Sequence, residues 1–195
     1  LAWVWFINLF NFMDGIDGIT AAETVSICLG LSLVALLQGW ELADFGLPLL
    51  LLGGLAGFWP WNRSPAKLFL GDVGSVPVGF MVGWLLLSAM EKGQWAVALI
   101  LPLYYLMDSS LTLAKRLLRG ERIWRAHREH FYQRAVQGGE SHAKVVWLIS
   151  ICNLILICLS LISLSGYDVL CAFAALVIVG LILMKLNSPK TDAQR

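Results

Sequence analysis

Two aspartates stand three residues apart, each followed by glycine, in the stretch Asn11-Phe12-Met13-Asp14-Gly15-Ile16-Asp17-Gly18, and apolar sequence flanks the stretch on both sides. Carboxylates at the edge of an apolar span are costly to strip of water, so they need a partner or a task. Placed at i and i+3 on a helical turn, Asp14 and Asp17 share a face. Gly15 and Gly18 free the backbone to end a helix and approach a ligand closely. Two like charges this near are relieved by a cation between them or by a retained proton. Hard oxygen ligands of this kind suit Mg²⁺, which takes one or two carboxylates together with phosphate oxygens. An aspartate N-cap beside a glycine turn explains one of the acids and leaves the other without a reason. An EF-hand loop is excluded, because the alternating ligands and the distant glutamate are missing.

Two further segments carry chemistry. In Ala66–Gly79, Asp72 lies between Gly71 and Gly74 with Ser75 where the next apolar span begins. Asp72 or Ser75 could simply cap that helix, but a helix N-terminus with its free amides and Lys67 nearby is also an anion site. The loop 114–144 carries eight basic residues against Glu121, Glu129 and Glu140. A polybasic segment lying on anionic lipid is one reading of it. However, His127, His130 and Arg134, spaced by three and four, would share a helical face. Leu117, Trp124 and Phe131 recur every seven residues, as a piece of interfacial helix would require. Arg and His grouped this way fit a diphosphate better than a lipid surface. His142, beyond two glycines, reads as incidental.

The elements that must position these groups are membrane helices. Hydrophobic residues make up 58% of the 195 and charged residues 14%, against about 45–50% and about 25% in a soluble domain. The expected architecture is all-α and polytopic: a short first helix at 1–12, then six full spans at roughly 20–38, 47–61, 75–90, 95–113, 145–164 and 167–186. Gly53/Gly57 and Gly79/Gly83 form GxxxG pairs that could bring helices close. Thirteen of the fourteen Lys and Arg fall on one side, with the loops 62–74 and 114–144 and the C-terminal tail, leaving only Lys92 opposite. The positive-inside rule makes that side cytoplasmic, and the Asp14–Gly18 segment shares it. No CxxC pair occurs among the four Cys, which argues against thiolate metal binding and a disulfide framework. Leu1 opens inside an apolar run, so the sequence is expected to continue a longer chain.

Taken together, Asn11–Gly18, Leu70-Gly71-Asp72-Val73-Gly74-Ser75 and Arg125-Ala126-His127-Arg128-Glu129-His130 resemble the polyprenyl-phosphate N-acetylhexosamine-1-phosphate transferases. That family includes the phospho-N-acetylmuramoyl-pentapeptide transferase of peptidoglycan synthesis. The resemblance implies a single catalytic membrane domain over 1–186 followed by a cytoplasmic tail, 187–195, in a bacterial inner membrane. It implies that an N-acetylhexosamine-1-phosphate passes from a UDP-sugar to undecaprenyl phosphate with release of UMP, starting a lipid-linked surface polysaccharide. By the family pattern, Asp72, Asp14 and Asp17 are catalytic and bind Mg²⁺, with Mn²⁺ as the alternative ion, and His127 is catalytic. Asn11, Lys67, Arg125, Arg128, His130 and Arg134 are the expected substrate-binding residues. Many members have a run of His where this chain has Arg128-Glu129, and the HREHFYQR form resembles the polysaccharide branch, not the peptidoglycan one. The family's adjacent Asp-Asp motif has no match here and is expected upstream of Leu1. Nothing points to a nucleic-acid partner, and a homo-oligomer is left open. The competing reading is a transporter using intramembrane carboxylates, for which Asp108 would be the obvious residue.

Overall fold

Hydrocarbon offers backbone amides no partner, so a chain this apolar is driven into elements that close their own hydrogen bonds. A computed structural model describes residues 1–122 and 127–187, without the side chains of 42–45, and its regular elements there are all helices. They are α1 (Ala2–Phe12), α2 (Ile19–Leu37), α3 (Leu42–Asn62), α4 (Gly71–Glu91), α5 (Trp95–Ile100), α6 (Leu103–Leu118), α7 (Phe131–Gln137), α8 (His142–Ser163) and α9 (Asp168–Asn187). Among the described residues, four of them, α2, α4, α8 and α9, are long and apolar enough to cross a bilayer.

One of the six expected full spans is divided in two, and proline accounts for it. The expected span 95–113 is two helices, α5 ending at Ile100 and α6 starting at Leu103, with Pro102 capping α6. Proline has no N–H to donate and its ring obstructs the preceding turn, so the run breaks there. The break frees first-turn amides of α6 inside apolar surroundings. Near the break, the buried Glu23 of α2 accepts from Asn153 Nδ2 of α8 through Oε2 at 2.7 Å.

Helix α2 packs on α3 and α8, α1 packs on α4, and α8 packs on α9. The α1–α4 contact uses the second GxxxG pair: a Cβ on Gly79 would meet Phe10 Cβ at 2.9 Å, and one on Gly83 would meet the Trp3 ring at 2.7 Å. Gly53 and Gly57 have open space beside them, so that pair makes no close helix contact here. Phe6, Leu9, Phe10, Tyr104, Tyr105 and Ile149 lie within the buried core. Large apolar side chains of α9, among them Leu170, Phe173, Leu181 and Met184, remain exposed, as a lipid-facing surface requires. Because the helices alternate in direction, the C-terminal ends of α1, α3, α6 and α9 gather with the N-terminal ends of α2, α4 and α8.

Candidate active site

At that gathered end, the segment between α1 and α2 is a turn. Residues 13–18 are not helical, so Asp14 and Asp17 do not share a helical face as their spacing suggested. The reason is Gly18, which caps α2 in the left-handed region at φ 80°, a conformation open to glycine. The turn is held on both sides. A Cβ on Gly15 would meet Tyr132 Oη at 2.2 Å and Gln133 Nε2 at 2.9 Å, and one on Gly18 would meet the Trp59 ring at 3.1 Å. Helices α7 and α3 therefore close on it from opposite sides.

The turn sends its two carboxylates to different partners. Asp14 lies near Asp72: burial holds the Asp14 carboxyl above the usual carboxylate range, Asp72 adds to the rise, and a Thr20 hydrogen bond opposes it. Asp72 stands in the first turn of α4, which starts at Gly71, four residues before the expected start of that span at 75. Asn11 of α1 donates Nδ2 to Asp72 Oδ1 at 2.9 Å and to Ser75 Oγ at 2.8 Å. Asn11, Asp14, Asp72 and Ser75 thus form one cluster across α1, the turn and α4.

Asp17 is not part of that cluster. Its Oδ2 accepts the Ala66 N–H at 3.1 Å and lies 3.3 Å from His142 Nδ1. The Asp17 N–H also approaches the same Nδ1 at 3.5 Å. Asp17 fastens the 63–70 segment and the start of α8 to the turn. His142, read from sequence as incidental, is the missed partner.

The histidine segment is built around Asp108 of α6. That carboxylate is fully buried and saturated. Tyr104 Oη donates to Oδ2 at 3.2 Å, Thr112 Oγ1 donates to Oδ1 at 3.3 Å, and His130 Nδ1 lies 3.0 Å from Oδ1. The amides of Phe131 and Tyr132 donate to Oδ1 at 3.1 Å and Oδ2 at 3.3 Å. Asp108 therefore caps α7 from outside the helix and fixes the His130 ring. An acid with five partners of this kind explains itself as an anchor and gives no support to a transport path.

The expected shared helical face of His127, His130 and Arg134 does not form, because α7 starts only at Phe131. The rings still converge: His127 and His130 have centroids 4.9 Å apart, and His130 stacks on Tyr132 at 5.7 Å. Tyr132 Oη in turn donates to Phe12 O at 3.4 Å, which links the histidines to the aspartate turn. Partial burial, with His130 and Arg116 nearby, lowers the His127 pKa, so the ring is neutral at pH 7. Neither His127 Nδ1 nor His130 Nε2 has a hydrogen-bond partner among the described residues.

The remaining expected contacts are scattered. Lys67 and Arg128 are exposed, and Arg125, like Trp124, lies outside the described residues. Arg134 donates Nε to Glu129 O at 3.0 Å and Nη1 to Asn187 Oδ1 at 3.2 Å. Sequence reasoning gave Glu129 no place in the site. It pairs with Arg116 at 2.6 Å, with Arg119, and with Arg134 at 3.7 Å. A lone Glu within a basic run was the signal available.

Among the described residues, no three His, Cys, Asp or Glu side chains gather as a metal site. Asp14 and Asp72 nonetheless suit a divalent cation of the Mg²⁺ kind, which needs only one or two protein carboxylates when phosphates supply the rest. Burial, and after it the Asp72 charge, disfavour ionised Asp14, and a bound cation would offset both.

Residues 1–90 match the model of glycosyl transferase family 4. The chain is 30% identical over 148 residues to a probable undecaprenyl-phosphate N-acetylglucosaminyl 1-phosphate transferase of Bacillus subtilis, covering 73% of this chain and 40% of that protein. It is 36% identical over 110 residues to the phospho-N-acetylmuramoyl-pentapeptide-transferase of Streptococcus thermophilus, covering 56% and 32% respectively. The similarity to the corresponding protein of Enterococcus hirae is 31% over 155 residues, covering 76% and 46%. The chain thus spans less than half the length of these relatives.

Proposed function

The chain belongs to glycosyl transferase family 4 by the match over residues 1–90, and on that premise we propose that it transfers an N-acetylhexosamine-1-phosphate from a UDP-sugar to undecaprenyl phosphate, releasing UMP. The observation that carries this reading is Asn11 bridging Asp72 and Ser75 across the α1–α4 contact, with Asp14 close enough for the Asp72 charge to act on it. Two acids crowded at the membrane edge fit a reaction between two phosphate-bearing substrates. The acceptor phosphate oxygen forms a bond to the phosphorus next to the sugar. The bond from that phosphorus to the bridging oxygen breaks, and UMP leaves with its electron pair. Such a transfer asks the protein mainly for placement and charge neutralisation.

Asp14 and Asp72 would hold a Mg²⁺ ion, which supplies neutralisation of the diphosphate as charge develops on the leaving oxygen. Asn11 aims Asp72 by occupying one of its oxygens. His127, its pKa lowered by partial burial, would offer a hydrogen bond to a donor phosphate without adding a proton to it. His130 is a positioning residue, oriented by Asp108 and stacked between His127 and Tyr132. The cytoplasmic location follows from the Lys and Arg distribution, and a bacterial plasma membrane follows from the polyprenyl acceptor. The polysaccharide branch rests on the His127-Arg128-Glu129-His130 form.

The test is UMP release by the full native protein with undecaprenyl phosphate and a panel of UDP-sugars. Release from a UDP-N-acetylhexosamine that depends on both the lipid phosphate and a divalent cation is expected. Turnover only with the muramoyl-pentapeptide donor overturns the branch, and no lipid-dependent release from any donor overturns the reading.

A further inference from the structure

A cavity opens at the same end of the bundle, between α7, the start of α8 and the end of α9. Its volume is about 430 Å³. It shares no lining residue with the Asn11–Asp14–Asp72–Ser75 cluster or with His127. Three cations from three helices reach it: Arg134 of α7, Lys144 of α8 and Lys185 of α9. One acid, Glu140, also lines it and pairs with Lys144 at 2.8 Å. Arg134 is steadied from two sides by Glu129 and by Asn187, whereas Lys185 makes no ion pair among the described residues. The cationic rim is therefore in excess over its single acid. Beneath the rim the wall is apolar, formed by Val145, Leu148 and Leu186.

The cavity's position selects the ligand class. It lies where α8 and α9, both long and apolar enough to span a bilayer, emerge from hydrocarbon, so its cations sit at headgroup depth and its apolar wall continues toward the acyl chains. Trp147, exposed on the next turn of α8, suits the same depth. A soluble anion would use the cations and leave the apolar wall bare. A zwitterionic lipid would use the wall and meet an uncompensated positive field. Only an anionic amphiphile matches both halves.

We propose that this α7–α8–α9 cavity binds the phosphate headgroup of an anionic phospholipid, apart from the substrates of the transfer reaction. Lys144 and Lys185 act as point charges on the phosphate, and the first methylenes of the chains lie against Val145, Leu148 and Leu186. The site also gives Arg134 a use that its distance from the aspartate cluster otherwise leaves open.

Lipid retained by the purified protein in detergent, read by native mass spectrometry, tests this. The probes are phosphatidylglycerol, phosphatidylcholine and free glycerol phosphate. Phosphatidylglycerol is expected to be retained in preference to phosphatidylcholine, and glycerol phosphate not to compete. Lys144→Gln and Lys185→Gln should each weaken retention about fivefold, and the double variant about thirtyfold, from about 1 kcal/mol per basic residue near an anionic surface. Lys92→Gln, the same change at the opposite end of the bundle, should leave retention unaltered and shows that the lost charge must be local. Equal retention of the two lipids, an equal loss in Lys92→Gln, or competition by glycerol phosphate would overturn the proposal. So would retention that begins only when residues 188–195 are removed, since the chain's own tail would then be the occupant.

Discussion

Replacing Asp108 with alanine removes one buried group that five donors share, and the structure sets the size of the effect. Those donors are the Tyr104 and Thr112 hydroxyls, the His130 ring and the Phe131 and Tyr132 amides. Charge-assisted bonds contribute about 1.5–3 kcal/mol each. Five would sum to more than is realised, because burying a carboxylate itself costs several kcal/mol. Removing one side of such a buried arrangement costs about 3–5 kcal/mol, a large part of the about 5–15 kcal/mol that keeps a domain folded. The loss is concentrated at the α7 N-terminus, so the first consequence is release of α7 and the histidine segment rather than collapse of the long helices. Limited trypsin digestion in detergent reads this, since Arg119, Arg122 and Arg128 become cleavable, with thermal unfolding measured beside it. Asp108→Asn keeps one acceptor oxygen and should fall between the two, raising the donor KM more than it lowers kcat. Normal digestion and normal turnover in Asp108→Ala would refute the anchoring role.

Gly15→Ala should separate α7 from the aspartate turn, because its Cβ would fall 2.2 Å from Tyr132 Oη; turnover should drop about tenfold or more, and Tyr132→Phe should recover part of it. Asp14→Asn should abolish turnover yet raise the unfolding temperature at neutral pH. With its folded pKa raised by burial, ionised Asp14 destabilises the native state above its unfolded pKa of about 3.9. The stability gap between the two proteins should accordingly narrow as pH falls through the folded pKa. His127→Ala should raise the donor KM with little change in unfolding, whereas Glu129→Ala, which strips a partner from Arg116, Arg119 and Arg134, should expose the loop to trypsin at a cost of about 1 kcal/mol.

Helical class was readable because apolar length is a local property of the sequence. Asn11, Asp14 and Asp72 were readable as candidates for the same reason, each in a short motif with a chemical rationale. What escaped was pairing over distance. Spacing put Asp14 with Asp17, yet the left-handed Gly18 splits them and α1–α4 packing gives Asp14 to Asp72, 58 residues away. His142 looked incidental because nothing near it in sequence reveals Asp17, 125 residues away. Pro102 divided a span that hydropathy alone reads as continuous. Asp108 was noticed for its apolar setting, but its role is defined by Phe131 and Tyr132, amides that carry no sequence signal at all.

The account depends most on Asp72 as the acid paired with Asp14 at the phosphate-transfer centre. The direct measurement is UMP release by Asp72→Asn in the full native protein, at saturating Mg²⁺ and undecaprenyl phosphate, beside the unaltered protein. The change removes a charge and almost no volume, and Asn11 can still hydrogen-bond the remaining carbonyl oxygen. A loss of about 10²-fold or more in kcat, with unchanged unfolding temperature and membrane insertion, is the result expected. Near-normal kcat in Asp72→Asn would contradict the account at its centre.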